Sequence, residues 1–258
     1  MHLRIIIDGP QTASFNMAAD RYLLDNCMED EHATLRLYSW KKPSITLGCM
    51  QNQTEILDFE SMKRDDIDYV VRPTGGRAVF HWEDLTYSFI FPKVTREMGT
   101  TVQESYSIIS KCLSKGLELA GISCTTQDSY DEYFKLKRET KLPCFLAPNR
   151  DEIMYKGKKL IGSAQKRRAQ SVLQHGSIPL TPAYRRLPLY LKLSEENRRA
   201  QIRLLEMKSI SINEIDKSLD DKKLIKTLIE GFLEEMRFDG EEMCWREEEV
   251  REIGVTLN

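Results

Sequence analysis

The sequence predicts an α+β fold. Apolar residues recur at helical spacing in three well-separated stretches, within 14–27, 101–121 and 224–236. Between the first two, and again over 152–178, lie short apolar or alternating segments of strand length, broken by Gly, Pro and Lys turns. Strands and helices do not alternate strictly, as a doubly wound parallel sheet requires, so strand-rich and helix-rich parts share one body.

Taken in order, Leu3–Ile7 is a short apolar strand. Phe15, Ala18, Ala19, Tyr22, Leu23 and Cys27 form the i, i+3, i+4 stripe of a first helix. Thr34–Trp40 and Ser44–Cys49 read as two strands divided by Lys41-Lys42-Pro43, and Glu55–Lys63 as a short helix. Tyr69–Arg72 and Ala78–Phe80 read as strands around a Gly-Gly loop, and Leu85–Phe91 as another, ended by Pro92. Thr101-Val-Gln-Glu104 is a capping box, opening a helix that Gly121 closes. Residues 125–150 are polar and irregular apart from Leu142-Pro-Cys-Phe-Leu146; a loop of that length in a compact domain is usually functional. A meander follows: Glu152–Tyr155, a Lys156-Gly157 turn, Lys159–Gln165 and Ser171–Ile178. After Pro182 the pattern becomes helical, with a second capping box at Ser211-Ile-Asn-Glu214 and an amphipathic stripe from Leu224 to Met236. The expected organisation is a single domain over 1–258, with a catalytic body over about 1–185 and a helical C-terminal extension over about 190–258.

The 258 residues suffice for a sizeable core. With 40 acidic against 38 basic side chains, the chain lacks the basic footprint of a nucleic-acid binder. No stretch reaches the ~18 apolar residues of a membrane helix, and Ile5-Ile-Ile7 runs straight into Asp8, which is no signal-peptide core. Six cysteines, at 27, 49, 112, 124, 144 and 244, form no Cys-x-x-Cys pair, which argues against structural zinc. Asp128, Asp131 and Glu132 have no matching ligand set. A cytoplasmic protein with free thiols and no metal is expected.

Two segments carry the chemistry. Arg72-Pro-Thr-Gly-Gly-Arg-Ala-Val-Phe-His81 flanks Gly75 and Gly76, where backbone can approach a ligand closely, with the donor forks of Arg72 and Arg77. Lys158-Lys-Leu-Ile-Gly-Ser-Ala-Gln165 sets two lysines beside three small residues. Strand alternation sends one of Lys158 and Lys159 outward and the other inward, and an inward lysine needs a partner or a ligand. A histidine beside a strand is more often hydrogen-bonded structure than catalyst; His81 is read as pocket wall and His175 as a buttress. Lys166-Arg167-Arg168 is read as a solvated hairpin tip, or alternatively a patch that steers acidic partners.

Together the two segments resemble the biotin/lipoate ligase and transferase family, over roughly residues 1–185. Ser14-Phe-Asn-Met-Ala-Ala19 is similar to the family's first helix, and Trp40–Gly48 followed by Gln51-Asn52 to its first hairpin. The resemblance implies a large mixed β-sheet packed by helices, with a smaller second sheet. Pro143-Cys144-Phe145-Leu-Ala-Pro148 resembles the Cys-Phe-x-Ala-Pro segment of cysteine-dependent octanoyltransferases related to lipoate-protein ligase A. It implies Cys144 as acyl-accepting nucleophile and Lys159 as its acid–base partner. Arg72, Gly75, Gly76, Arg77, His81, Gly162, Ser163 and Ala164 are the implied substrate-binding residues, with backbone N–H groups at the small residues facing the thioester oxygen.

Arg77, the Glu83–Ser88 stretch, Gln165 and Leu173-Gln-His-Gly-Ser-Ile178 are similar to the octanoyltransferase version. The implied reaction moves octanoyl from octanoyl-acyl carrier protein to the lysine of a lipoyl-accepting protein, a glycine cleavage H protein or a dehydrogenase E2 domain, with no cofactor. Asn149-Arg150-Asp151 is closer to a ligase stretch and keeps an ATP- and Mg-dependent lipoate-protein ligase as the alternative. There Lys159 would hold an acyl-adenylate, Arg72 would assist with phosphates and Cys144 would be a bystander. A third reading, an inactive scaffold that only binds lipoyl domains, is disfavoured by Lys159 and Cys144 standing together.

Overall fold

The structure, a computed structural model, describes residues 2–27, 32–93, 95–126 and 152–255. Eight strands form one mixed sheet in the order β11-β1-β2-β6-β10-β9-β8-β7. These are β1 (His2–Gln11), β2 (Ala33–Trp40), β6 (Asp84–Pro92), β7 (Thr125–Thr126), β8 (Ile153–Tyr155), β9 (Lys158–Arg167), β10 (Ser171–Pro179) and β11 (Asp239–Glu242). β1 runs parallel to β2 and β11, and the other pairings are antiparallel. β3 (Ser44–Leu47), β4 (Asp68–Val71) and β5 (Val79–His81) make the smaller sheet, in the order β4-β3-β5.

Alternation along β6 explains the layers. Phe89 and Phe91 face a core closed by α4 (Val102–Leu119) and the helix Asp221–Met236, while Ile90 faces Leu23 and Leu24 of α1 (Ala13–Asn26) on the other side. α4 and the second helix cross at glycines. A Cβ on Gly231 would stand 2.4 Å from the Gly116 nitrogen, so the backbones touch where side chains would hold them apart.

The predicted capping boxes at Thr101 and Ser211 both form, and Gly121 closes α4 at φ 98°. The helix expected over Glu55–Lys63 is instead two short ones, α2 (Gln53–Ile56) and α3 (Phe59–Arg64). Asp58 divides them because its carboxylate accepts from the Ser61 N–H and begins a new helix.

The C-terminal residues are more than a helical extension. α5 (Glu195–Lys208) leads to Ile210, whose N–H bonds the Lys159 carbonyl at 3.0 Å. Beyond α6 (Ile212–Ile215), α7 (Asp221–Met236) supplies Leu228 and Phe232 to the main core. β11 then lengthens the sheet, and α8 (Glu247–Val255) sets Ile253 against Ala18 and Ala19 of α1. No helix among the described residues is long and apolar enough to cross a membrane.

Candidate active site

A cavity of about 360 Å³ opens where the two sheets meet. The chain passes from β5 in the small sheet to β6 in the large one within three residues, which brings the Gly-Gly loop over the middle of β9 and β10. Arg72, Gly75, Gly76, His81, Lys159, Gly162, Ser163 and Ala164 all line this cavity. Two segments far apart in sequence therefore form opposite walls of one site, and the lining between them is mostly apolar, as an acyl chain requires.

On the loop wall, Arg72 is turned back into the protein. Its guanidinium donates to the carbonyls of Thr46, Gly75 and Arg77 at 3.1, 2.7 and 2.8 Å, and to the hydroxyls of Thr74 and Thr46 at 3.1 and 3.2 Å. The loop packs so closely on the β3 end that a Cβ at Gly48 would lie 2.1 Å from the Gly76 oxygen. Gly76 itself stands at φ 94°, which only glycine adopts readily. Nothing lies within 4 Å of where a Gly75 Cβ would be, so that residue borders open space.

Two histidines brace the same arginine through the two threonines. Thr74 Oγ1 meets His175 Nε2 at 2.7 Å, and His175 Nδ1 meets Asp20 at 2.9 Å. Thr46 Oγ1 meets His81 Nε2 at 3.0 Å, and His81 Nδ1 meets Asp84 at 2.8 Å. A guanidinium only donates and a carboxylate only accepts, so each threonine oxygen accepts from Arg72 and each ring donates an Nδ1 proton to an aspartate. With the ring neutral, Nε2 is left to accept the threonine proton. Burial lowers the His175 pKa, against the opposing pull of Asp20, and this favours the neutral ring that the network needs. Burial would raise the Asp20 carboxyl, but the bond from His175 and the buried Arg36 guanidinium outweigh it and hold the pKa low.

On the strand wall, alternation resolves the lysine pair as expected. Lys159 is buried with Nζ 2.5 Å from Glu152 Oε1, whereas Lys158 reaches the surface and the Glu206 carbonyl. Glu152 is buried too and borders the cavity, so a closed ion pair forms part of the wall. Beyond it, a Cβ on Gly176 of β10 would come within 2.6 Å of the Gly162 oxygen and 2.7 Å of Ser163 Oγ. Glycine there lets β9 and β10 close up under Ser163.

Among the remaining expected residues, Arg77 does not line the cavity; its carbonyl serves as an Arg72 acceptor. His81 and His175 are the hydrogen-bonded wall and buttress expected of them. Cys144 lies outside the described residues, as do Asp128, Asp131 and Glu132. None of the five described cysteines lines the cavity, and burial raises the thiols of Cys112 and Cys124, the latter to about 12. The basic hairpin tip is tied down: Arg167 donates to the Thr100 and Thr101 carbonyls, and Arg168 pairs with Asp25. Among the described residues, no three His, Cys, Asp or Glu side chains gather as a metal site.

Sequence reasoning missed Glu152, Asp20, Thr46, Thr74, Asp84 and Tyr87. Two carried a signal. An inward lysine demands a nearby carboxylate, and Asp20 sits within the apolar stripe of α1, where an unpaired charge would be costly.

The catalytic-domain model of the lipoyl protein ligase A/B family matches residues 12–233. The octanoyltransferase LipM of Bacillus subtilis (strain 168) is 35% identical over 234 residues, covering 89% of this chain and 84% of that protein. The LipM of Geobacillus kaustophilus is 35% identical over 216 residues, 82% and 78% of the two chains. A crystal structure of lipoate-protein ligase A bound with ATP superposes with TM-score 0.81 at 20% identity, covering 100% of this chain and 94% of the other. A bipartite lipoate protein ligase from Thermoplasma acidophilum gives 0.81 at 20%, covering 100% and 92%. The structural likeness establishes the shared fold, and the relatives place the chain among acyltransferases. The chain belongs to the lipoyl protein ligase A/B catalytic domain family.

Proposed function

We propose that this chain, acting as one catalytic unit, transfers octanoyl from octanoyl-acyl carrier protein to the lysine amine of a lipoyl-accepting protein. The acceptor is a glycine cleavage H protein or a dehydrogenase E2 domain, and the reaction runs in the cytoplasm through a thioester on Cys144. The observation that carries the reading is the buried Lys159–Glu152 pair in the wall of a mostly apolar cavity, in a chain 35% identical to named octanoyltransferases.

The chemistry balances with two groups. The Cys144 thiolate attacks the donor thioester carbonyl, the carrier's C–S bond breaks, and the departing thiolate takes a proton from the Lys159 ammonium. The acceptor amine then attacks the Cys144 thioester and gives a proton to the now neutral Lys159, and Cys144 leaves as thiolate. Both groups return to their starting states. Glu152 holds Nζ in place through both halves. The donor is already activated, so neither ATP nor another cofactor enters. Arg72 has its guanidinium nitrogens engaged by the protein, which disfavours the phosphate role it would have in an ATP-dependent ligase.

Intact-protein mass spectrometry tests this directly. Incubation with octanoyl-carrier protein, without ATP or acceptor, should add one octanoyl group, mapped to Cys144, and adding acceptor should discharge it. Cys144→Ala should acquire none. An adduct on another cysteine would overturn the assignment of Cys144 as nucleophile, and transfer from free octanoate that requires ATP would replace the reading with the ligase one.

A further inference from the structure

A polarised chain of hydrogen bonds leads from the β9–β10 hairpin to the cavity. Arg167 Nη1 donates to Gln165 Oε1 at 3.3 Å and to Ser105 Oγ at 3.0 Å. Its guanidinium has no acceptor, so the amide oxygen of Gln165 must face it and the amide nitrogen must face away. That nitrogen donates to Ser105 Oγ at 3.1 Å and to Gln174 Oε1 at 3.2 Å. With its oxygen so occupied, Gln174 turns its own amide nitrogen to the Tyr87 hydroxyl at 3.0 Å. Tyr87 lies 2.7 Å from Ser163 Oγ. Between two hydroxyls either can donate, but here the Gln174 proton occupies the phenol oxygen. Among the described residues, Ser163 Oγ is then the only acceptor in reach of the buried phenol proton, which therefore goes to Ser163, and burial, which pushes the Tyr87 pKa up to about 12, keeps that proton in place. Ser163 Oγ accepts from Tyr87, so its own proton remains to be donated, and Ser163 lines the same cavity as Lys159.

We infer that the Ser163 hydroxyl is a dedicated hydrogen-bond donor to the acyl carbonyl oxygen, its direction set from Arg167 through Gln165, Gln174 and Tyr87. The inference rests on the proposed acyl transfer and adds a side-chain donor to whatever the backbone supplies. When the thiolate adds to the thioester, the carbonyl oxygen becomes an oxyanion. Ser163 donates a hydrogen bond to it without giving up its proton, and the oxyanion reforms the carbonyl as the leaving thiolate departs. The donor is in place before the charge develops, which is where such a group lowers a barrier. Tyr87, Gln174, Gln165 and Arg167 are positioning residues. Gly176 belongs with them, since a Cβ there would stand 2.7 Å from both Ser163 Oγ and the Tyr87 ring.

The test is single-turnover acylation from octanoyl-pantetheine, together with the infrared carbonyl band of the bound octanoyl group. Ser163→Ala should slow acylation by about 10²-fold with little change in KM, the usual loss for one oxyanion donor. Its carbonyl band should move to higher wavenumber than in the wild type. Tyr87→Phe should slow the step by only about three- to tenfold, the worth of one neutral hydrogen bond. The double variant should be no slower than Ser163→Ala alone, because Tyr87 acts only through the serine. Wild-type acylation and an unmoved band in Ser163→Ala would overturn the inference, as would two losses that multiply. A wild-type enzyme that forms no adduct would instead sink the transfer reading. The band of non-covalently bound octanoyl-pantetheine, compared between wild type and Ser163→Ala, would then still decide the role of the hydroxyl.

Discussion

Along the Gly-Gly loop, polar groups are consumed within the loop and its braces, whereas on β9 a buried ion pair and a serine hydroxyl face the cavity. Arg72 donates to three carbonyls and two threonines, and the threonines are held in turn by His175–Asp20 and His81–Asp84. On the facing strand, Lys159 has its carboxylate partner in the cavity wall, and Ser163 accepts from Tyr87 with its own proton left over. The difference is one of purpose. A glycine loop has little side-chain packing to hold its shape, so a buried guanidinium with fixed geometry does that work. A strand is already held by its ladder and can present side chains outward from it. Arg72 beside the Gly-Gly pair is therefore the loop's own internal brace, and the proposed chemistry lies with the plainer-looking strand.

The largest effect expected from breaking this contrast is at Lys159. Lys159→Met should lower transfer by about 10²–10⁴-fold, the range for a lost acid–base group. It should also cost about 3–5 kcal/mol of stability by taking one partner out of the buried Lys159–Glu152 ion pair. Adding Glu152→Gln should restore much of the stability and none of the transfer. Urea unfolding and single-turnover rates separate the two, and a fully active Lys159→Met would reduce the lysine to a structural partner of Glu152. Lys159→Arg keeps the charge but has no accessible neutral form, so it should still load some acyl on Cys144 and release it slowly to acceptor.

Arg72 should respond in the opposite sense. Arg72→Lys replaces a five-donor fork by a compact ammonium and leaves several buried acceptors unpaired, at a cost of roughly 3 kcal/mol in urea unfolding. If the variant unfolds like the wild type and loses only donor affinity, Arg72 is a ligand contact and the contrast fails.

A smaller effect is expected from pH. The His175 pKa is lowered in the fold, so its neutral ring contributes stability that is intact above the ordinary 6.5 and lost progressively as pH falls below it. The unfolding midpoint of the wild type should drop through that window, and His175→Gln should flatten the drop. Asp20, whose pKa is also lowered, loses its contribution separately, at acid values below the ordinary 3.8. A wild-type profile that stays flat between pH 7 and 5 would mean that His175 is not the neutral brace drawn here. The smallest effect belongs to Lys158→Arg, on the outer face of β9, which should change neither rate nor stability measurably.

Much of this was legible beforehand, because local rules act within a few residues. Apolar spacing marked α1, α4 and α7, and Thr101, Glu104 and Gly121 marked the ends of α4. Strand alternation separated Lys159 from Lys158, and the small residues around Gly75 and Gly162 marked both walls of the cavity. β11 escaped because Asp239-Gly-Glu-Glu242 has no apolar pattern; it is a strand only because β1 offers it an open edge. The partners escaped for a similar reason. Asp20 lies 155 residues from His175 and Tyr87 lies 76 from Ser163, and no local periodicity records such a pairing. The sequence by itself determined which segments are helix, strand and close-approach loop, since those follow from side-chain spacing and backbone freedom. Only the tertiary structure decided which donor meets which acceptor. Hydrogen-bond direction depends on what each atom's far neighbour already holds, and that is set when the two sheets meet.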